Sequence, residues 1–149
     1  MRRHITSLLL VSGLALSSAT AILAQKPASL YDNLGGKKAI TAVVDEFVGR
    51  VAADNRINAF FKQTASDPKR LAGFKAKLVD QICEASGGPC KYKGKSMKAA
   101  HMGMGISGAD FGALVEDLVG ALDNFKVKEA DKNALLGALG PMKSDIVEK

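Results

Sequence analysis

Strand-like alternation of polar and apolar residues is nearly absent from this chain of 149 residues, and no repeat, low-complexity tract or internal linker divides it. The first absence excludes a protein built on a sheet, and the second excludes an array of several domains. Histidine and cysteine are also scarce, with two residues of each. The few that are present therefore carry most of the information about chemistry.

The beginning of the chain has a composition of its own. A short positive start is followed by a mostly apolar stretch over residues 5–16 and then by small residues. This layout is typical of a secretory signal peptide, so we expect removal of residues 1–24, with cleavage after Ala24 or, by the stricter spacing of small residues, after Ala21. The protein would then be periplasmic or secreted. The alternative is an uncleaved anchor, because residues 5–24 are just long enough to span a bilayer.

Residues 25–149 are enough for one compact domain. The formal charge of +6 falls by two when Arg2 and Arg3 are removed, which leaves the domain well short of a nucleic-acid-binding protein. No membrane contact is expected after cleavage. Four lysines nevertheless cluster in one short stretch, namely Lys91, Lys93, Lys95 and Lys98. We expect these lysines to be solvated, the alternative being that they pair with an anionic cofactor group or dock to an acidic partner.

Apolar residues recur at helical spacing from about residue 29 onward, which predicts an all-α domain. Two capping boxes mark helix starts. Ser29 with Asp32 begins a short first helix, and Ser107 with Asp110 begins a strongly amphipathic later one. The capping signals are local, so they place these two helix starts without reference to the rest of the fold.

Glycine and proline indicate where other helices end. Gly35-Gly36 ends the first helix, and Gly87-Gly88-Pro89 ends the long helix in the middle of the chain. Residues 63–68 are polar and turn-like, which predicts a loop. The last helix is expected over residues 128–147, with a kink at Pro141.

The two cysteines, Cys83 and Cys90, flank the Gly87-Gly88-Pro89 turn. In an oxidising compartment we expect a disulfide between them, and closing so short a loop stabilises a fold by about 2–3 kcal/mol. Such a bond would tie the long helix to the loop that leads to His101. The alternative is that both thiols are free and that Cys83 is simply a small buried residue.

His101 is the only histidine after residue 24, and it lies in an apolar, glycine-flanked segment. One neutral imidazole in a dry pocket suits a single axial bond to a haem iron. Two alternatives stay open. A lone histidine near a helix end is often a capping or merely buried residue. His101 with Met102 and Met104 also offers the soft donors that select copper(I), as an exported copper-binding protein would.

Short motifs follow one another along the chain, each weak alone but specific in their joint order and spacing. They are Leu30-Tyr31-Asp32-Asn33-Leu34-Gly35-Gly36, Asp45-Glu46-Phe47, Arg50-Val51, Asp54, Ile57, Phe60-Phe61, Gly87-Gly88-Pro89, Tyr92, Gly94, Met97, His101 and Phe111. This series resembles the first group of the truncated haemoglobins. The resemblance extends from about Ser29 to Glu148.

The resemblance implies a two-over-two helical sandwich around a haem. Because no Cys-x-x-Cys-His is present, the cofactor is expected to be a non-covalent haem b. His101 matches the iron ligand, Phe47 and Phe61 match aromatic residues of the distal side, and Met97 matches a residue under the proximal face. The residues expected to line the pocket are Phe47, Val48, Phe61, Leu71, Phe74, Leu78, Tyr92, Met97, Ile106, Phe111 and Val115.

The helix that faces the distal aromatic residues fits the family in two registers. A count back from Gly87-Gly88 places Phe74 and Leu78 at the iron. A count forward from Phe61 favours Leu71 and Lys75 instead. The first register is preferred because its residues share one apolar stripe. Gln81 lies one turn further on and is a candidate for reaching the pocket.

Val48 departs from the family, which usually has a tyrosine at this place to donate a hydrogen bond to bound oxygen. An apolar pocket predicts reversible binding of O2, CO or NO, with fast oxygen release rather than tight storage. The alternative is a haem redox enzyme that turns over NO or peroxide with an electron-transfer partner. Lys75 or Lys77 swinging in as a second axial ligand is a further possibility.

Overall fold

A computed structural model describes residues 27–149, so the leader, its cleavage sites and the membrane-anchor alternative concern residues outside that range. The described part is helical and contains no strand. None of its helices is long and apolar enough to cross a membrane. The α-helices are α1 (Leu30–Asn33), α2 (Gly36–Ala53), α3 (Lys62–Ala65), α4 (Pro68–Ala85), α5 (Met97–His101), α6 (Gly108–Asn124), α7 (Glu129–Leu139) and α8 (Lys143–Ile146).

The core lies where α2 packs against both α4 and α6, and α7 closes it by contacting α1 and α4. The long helices thus form the expected two-over-two sandwich. One face of α2 is buried at the spacing of a helix, which removes its apolar side chains from water. Those residues are Ile40, Val43, Val44, Phe47 and Val51. The partners that close the core from α6 and α7 include Leu118, Ala121, Leu122 and Leu135.

Both predicted capping boxes are confirmed. The Ser29 hydroxyl accepts from the Asp32 N–H at 3.2 Å, and the Asp32 carboxylate accepts from the Ser29 N–H at 3.0 Å. Ser107 and Asp110 repeat the pattern at 3.2 and 2.9 Å. The hydrogen bonds from the Ser107 hydroxyl and N–H lower the pKa of the Asp110 carboxyl. These contacts satisfy backbone donors that a helix start leaves free.

The loop predicted over residues 63–68 is wrong in part. Lys62–Ala65 is the short helix α3, and α4 already begins at Pro68. The Asp67 carboxylate accepts from the N–H groups of Lys69 and Arg70 at 2.8 and 3.1 Å. Aspartate followed by proline is helix-start chemistry, because proline suits the first helical position.

The kink predicted at Pro141 is a complete break. Helix α7 ends at Leu139, a 3₁₀ turn covers Gly140–Met142, and α8 follows. Proline has no N–H to give to the preceding turn, and its ring clashes with the carbonyl four residues earlier. The break redirects the end of the chain toward α5, with which α8 is in contact.

The disulfide between Cys83 and Cys90 is formed, as expected, with the two Cα atoms 5.7 Å apart. Cys83 is completely buried, and the Cys90 N–H donates to the Cys83 sulfur at 3.3 Å. The bond joins the end of α4 to the segment that leads into α5.

Candidate cofactor site around His101

His101 is the last residue of α5, a single helical turn that begins at the cap residue Ser96. The Ser96 hydroxyl accepts from the Ala99 N–H at 3.2 Å. The Nδ1 atom of His101 lies 2.7 Å from the carbonyl oxygen of Met97. Since a carbonyl only accepts, Nδ1 must carry the proton and Nε2 keeps its lone pair. A half-buried histidine held in this tautomer is ready to bind one metal ion through Nε2.

The apolar residues predicted to line the pocket are mostly left half-exposed. Of the eleven, only Phe47 (7% exposed) and Ile106 (8%) belong to the buried core, and the other nine have intermediate exposure. They are Val48, Phe61, Leu71, Phe74, Leu78, Tyr92, Met97, Phe111 and Val115. Partly exposed apolar side chains of this kind fit an apolar cofactor that would remove them from water.

Two of these residues make an aromatic contact between separate elements. The rings of Phe61 and Phe74 have centroids 5.7 Å apart and are tilted by 53°. On the other side, the Lys143 ammonium lies 5.9 Å from the centroid of the Phe111 ring. The first contact joins the Asn58–Phe61 turn to α4, and the second joins α8 to α6.

Both residues of the preferred register of α4 lie against residues of other elements. Phe74 meets Phe61, and Leu78 packs against the same core as Val48. Lys75 instead forms an ion pair with Asp45 of α2, with 2.8 Å between the charged atoms. In this structure the Lys75 ammonium is therefore paired with a carboxylate of α2.

Gln81 of α4 contacts two methionines from other parts of the chain. Its amide nitrogen lies 3.3 Å from the sulfur of Met97 and 3.3 Å from the sulfur of Met142. A thioether is a weak acceptor, so this part-buried amide donor has only weak partners. These two contacts connect α4 to α5 and to the Gly140–Met142 turn.

The lysine-rich segment before α5 is ordered by contacts to α4 and to itself. Glu84 accepts from the Tyr92 N–H at 3.0 Å and from Lys91 at 3.1 Å, and these bonds lower the pKa of the Glu84 carboxyl. The Tyr92 hydroxyl donates to the Lys95 carbonyl at 2.8 Å. In this segment, the exposed ammonium groups of Lys93, Lys95 and Lys98 form no ion pair with any of residues 27–149. They are available to the acidic groups of a cofactor.

The geometry gives little support to the copper-binding alternative. Met102 is 74% exposed and Met104 is 36% exposed, so neither thioether is enclosed beside His101. Within the described residues, no group of three or more histidine, cysteine or acidic side chains could hold a metal ion. A single half-buried imidazole remains the feature to explain.

Sequence reasoning missed one residue near His101. The Glu148 carboxylate accepts hydrogen bonds from the N–H groups of Gly103 and Gly105, at 2.7 and 2.5 Å. Its partners are backbone groups more than forty positions away, and such contacts leave no motif in a sequence. The only available signal is the pair of glycines, which indicates a turn but not its partner.

Comparison with known proteins agrees with this geometry. The sequence model of the bacterial-like globin family matches residues 29–148. The group 1 truncated haemoglobin GlbN of Mycolicibacterium paratuberculosis is 38% identical over 121 residues, covering 81% of this chain and 85% of that protein. The group 1 truncated haemoglobin of Tetrahymena pyriformis is 35% identical over 124 residues, covering 83% and 98%.

Solved structures give the same result. The ferric truncated haemoglobin of Tetrahymena pyriformis is similar with a TM-score of 0.74 and 31% identity, over 82% of this chain and all of that one. The 2/2 haemoglobin of a Synechococcus species, in the cyanomet state with covalently attached haem, has a TM-score of 0.73 and 33% identity, with coverage of 82% and 100%.

The fold and the site are thus those of a small haem protein. The chain belongs to the bacterial-like globin family, and both relatives just described are group 1 truncated haemoglobins. The expected family, the two-over-two fold and haem as the cofactor are confirmed. The half-exposed apolar walls and the free Nε2 of His101 fit that cofactor.

Proposed function

We propose that His101 holds the iron of a non-covalent haem b through Nε2 and that the protein binds diatomic gases reversibly, without storing oxygen tightly. The observation that carries the first part is the hydrogen bond from Nδ1 to the Met97 carbonyl, since it leaves one basic nitrogen free. When bound, haem supplies an iron with one open position for O2, CO or NO. Lys93, Lys95 and Lys98 would neutralise its two carboxylates.

The apolar character of the distal residues supports the second part of the proposal. Val48, Phe74 and Leu78 carry no side-chain donor, so none of them can give a proton to a polar ligand. A hydrogen bond to a charged acceptor stabilises by about 1.5–3 kcal/mol, which corresponds to roughly ten- to a hundredfold in retention. Oxygen, which gains most from such a bond, would leave quickly, whereas CO and NO need less polar help.

Gln81 does not replace the missing donor. Its amide nitrogen is directed at the sulfurs of Met97 and Met142, one turn beyond Leu78 on α4. None of Val48, Phe74 and Leu78 is an acid–base group, which argues against peroxide turnover, since that reaction normally requires one. Reversible ligand binding therefore fits these residues better than catalysis does.

Dissociation rates of the three gases test the proposal directly. In stopped-flow experiments on the haem-loaded ferrous protein, we expect fast oxygen release and rapid oxidation in air, with CO retained much longer than oxygen. The CO measurement is the internal control, because it depends little on a distal donor. A slow oxygen off-rate would contradict the proposal and would indicate a donor that reaches the ligand.

We also propose that the protein is exported. Two features support this, the signal-like layout of residues 1–24 and the disulfide between Cys83 and Cys90, a bond that is rare in reducing compartments. Protein expressed from the full sequence is expected in the periplasmic or extracellular fraction, with Gln25 or Ile22 as its first residue by mass and N-terminal sequencing. Recovery of the full-length chain in the cytoplasm, with two titratable thiols, would argue against export.

A further inference from the structure

The loop that follows His101 is held by a residue from the end of the chain. The N–H of Gly103 donates to one carboxylate oxygen of Glu148 at 2.7 Å, and the N–H of Gly105 donates to the other at 2.5 Å. Both glycines have a positive φ, +80° and +65°, which other residues rarely adopt. This backbone shape directs two N–H groups at one anion, as in known anion-binding turns.

Backbone hydrogen bonds extend the same attachment on the other side of the loop. The Glu148 N–H donates to the carbonyl of Ile106 at 2.8 Å, and the Gly108 N–H donates to the carbonyl of Lys149 at 3.0 Å. The chain end thus meets the loop at four points between His101 and α6. The hydrogen bonds from Gly103 and Gly105 lower the pKa of the Glu148 carboxyl, so the carboxylate is charged at neutral pH.

We propose that Glu148 is a positioning residue for the iron ligand. Helix α5 has a single turn and ends at His101, so it has little rigidity of its own. Its N-terminal side is ordered by Ser96, and its C-terminal side continues directly into the loop that Glu148 holds. By fixing this loop, Glu148 fixes the direction in which the imidazole of His101 presents Nε2. The inference rests on the proposed ligation of iron by His101.

Replacing Glu148 by glutamine removes the negative charge but keeps the size of the side chain. The variant therefore tests the carboxylate alone. A glutamine amide has one accepting oxygen, and its NH2 group opposes the second glycine N–H. In the protein without haem, we expect hydrogen exchange at the amides of Gly103 and Gly105 to rise about ten- to a hundredfold, as for loss of a charged hydrogen bond. Asp145→Asn is the matched control, since it removes an exposed carboxylate from the same segment.

A second readout separates positioning from simple stability. In the ferrous haem-loaded protein, the iron–histidine stretching band of the resonance Raman spectrum should shift and broaden in Glu148→Gln but not in Asp145→Asn. Glu148→Asp keeps the charge with one methylene fewer, so it should give an intermediate band. If the Glu148→Gln protein folds poorly, Glu148→Asp can be compared with Asp145→Asn in its place.

The outcomes are distinct. Unchanged exchange at both glycines in Glu148→Gln would show that the attachment does not hold in solution, and faster exchange with an unchanged Raman band would reduce Glu148 to a structural tie. Either result overturns the proposal. An iron–histidine band missing from the unsubstituted protein would overturn the proposed function itself, and the positioning role with it.

Discussion

Replacing His101 by alanine is expected to lower haem affinity by more than about a hundredfold, because even residues that only support a metal ligand are worth ten- to a hundredfold. No second histidine is available within residues 27–149 to take over. Haem titration followed by absorbance should show the sharp Soret band of the unsubstituted protein replaced by a weak, broad one. The fold should survive, since His101 is half-buried and lies outside the main core.

The glycine variant supplies the control for this experiment. His101→Gly leaves a space in which free imidazole can bind, so added imidazole should restore the Soret band, while His101→Ala should respond less. Far-UV circular dichroism of both variants checks that the helices remain. If the alanine variant takes up haem with unchanged affinity and spectrum, His101 does not ligate the iron.

Replacing Val48 by tyrosine is expected to slow oxygen dissociation by about ten- to a hundredfold, because the new hydroxyl can donate to the polar ligand in a dry setting. Val48 is half-buried on α2 and packs against the core shared with Phe61 and Leu78. The CO dissociation rate should change much less, since CO accepts a hydrogen bond weakly. Stopped-flow measurement of both rates on the ferrous protein gives the comparison.

Val48→Phe is the matched variant for that test, because it adds the same ring without the hydroxyl. Adding a large ring beside a packed core costs about 1–3 kcal/mol of stability, so both variants should melt at similar, lowered temperatures. The difference between their oxygen rates then reports the hydroxyl alone. Equal oxygen rates in the two variants would show that residue 48 does not face the ligand.

Much of the fold could be predicted because its signals are local. The capping boxes at Ser29 and Ser107 each need only the residue three positions on, and both are present as expected. The loop wrongly predicted at residues 63–68 also concerns a local signal. Polar residues there indicate a loop by composition, yet Asp67-Pro68 is a helix start, and composition conceals that chemistry.

The site was only partly accessible to such reasoning. His101 and the apolar stripe through Phe74 and Leu78 follow from spacing and from the family resemblance. The contact of Gln81 with Met142 spans 61 positions, and that of Glu148 with Gly103 spans 45. Contacts between residues so far apart in the sequence depend on how the helices pack, and no residue type predicts them.

The break at Pro141 has a practical side. It turns the chain so that Glu148 and Lys149 bond to the segment beside His101, through Ile106 and Gly108 as well as the two glycines. Because the carbonyl of Lys149 is one of those acceptors, an affinity tag joined there adds mass and mobility beside His101. Ligand kinetics are therefore best measured on protein that carries no added sequence at Lys149.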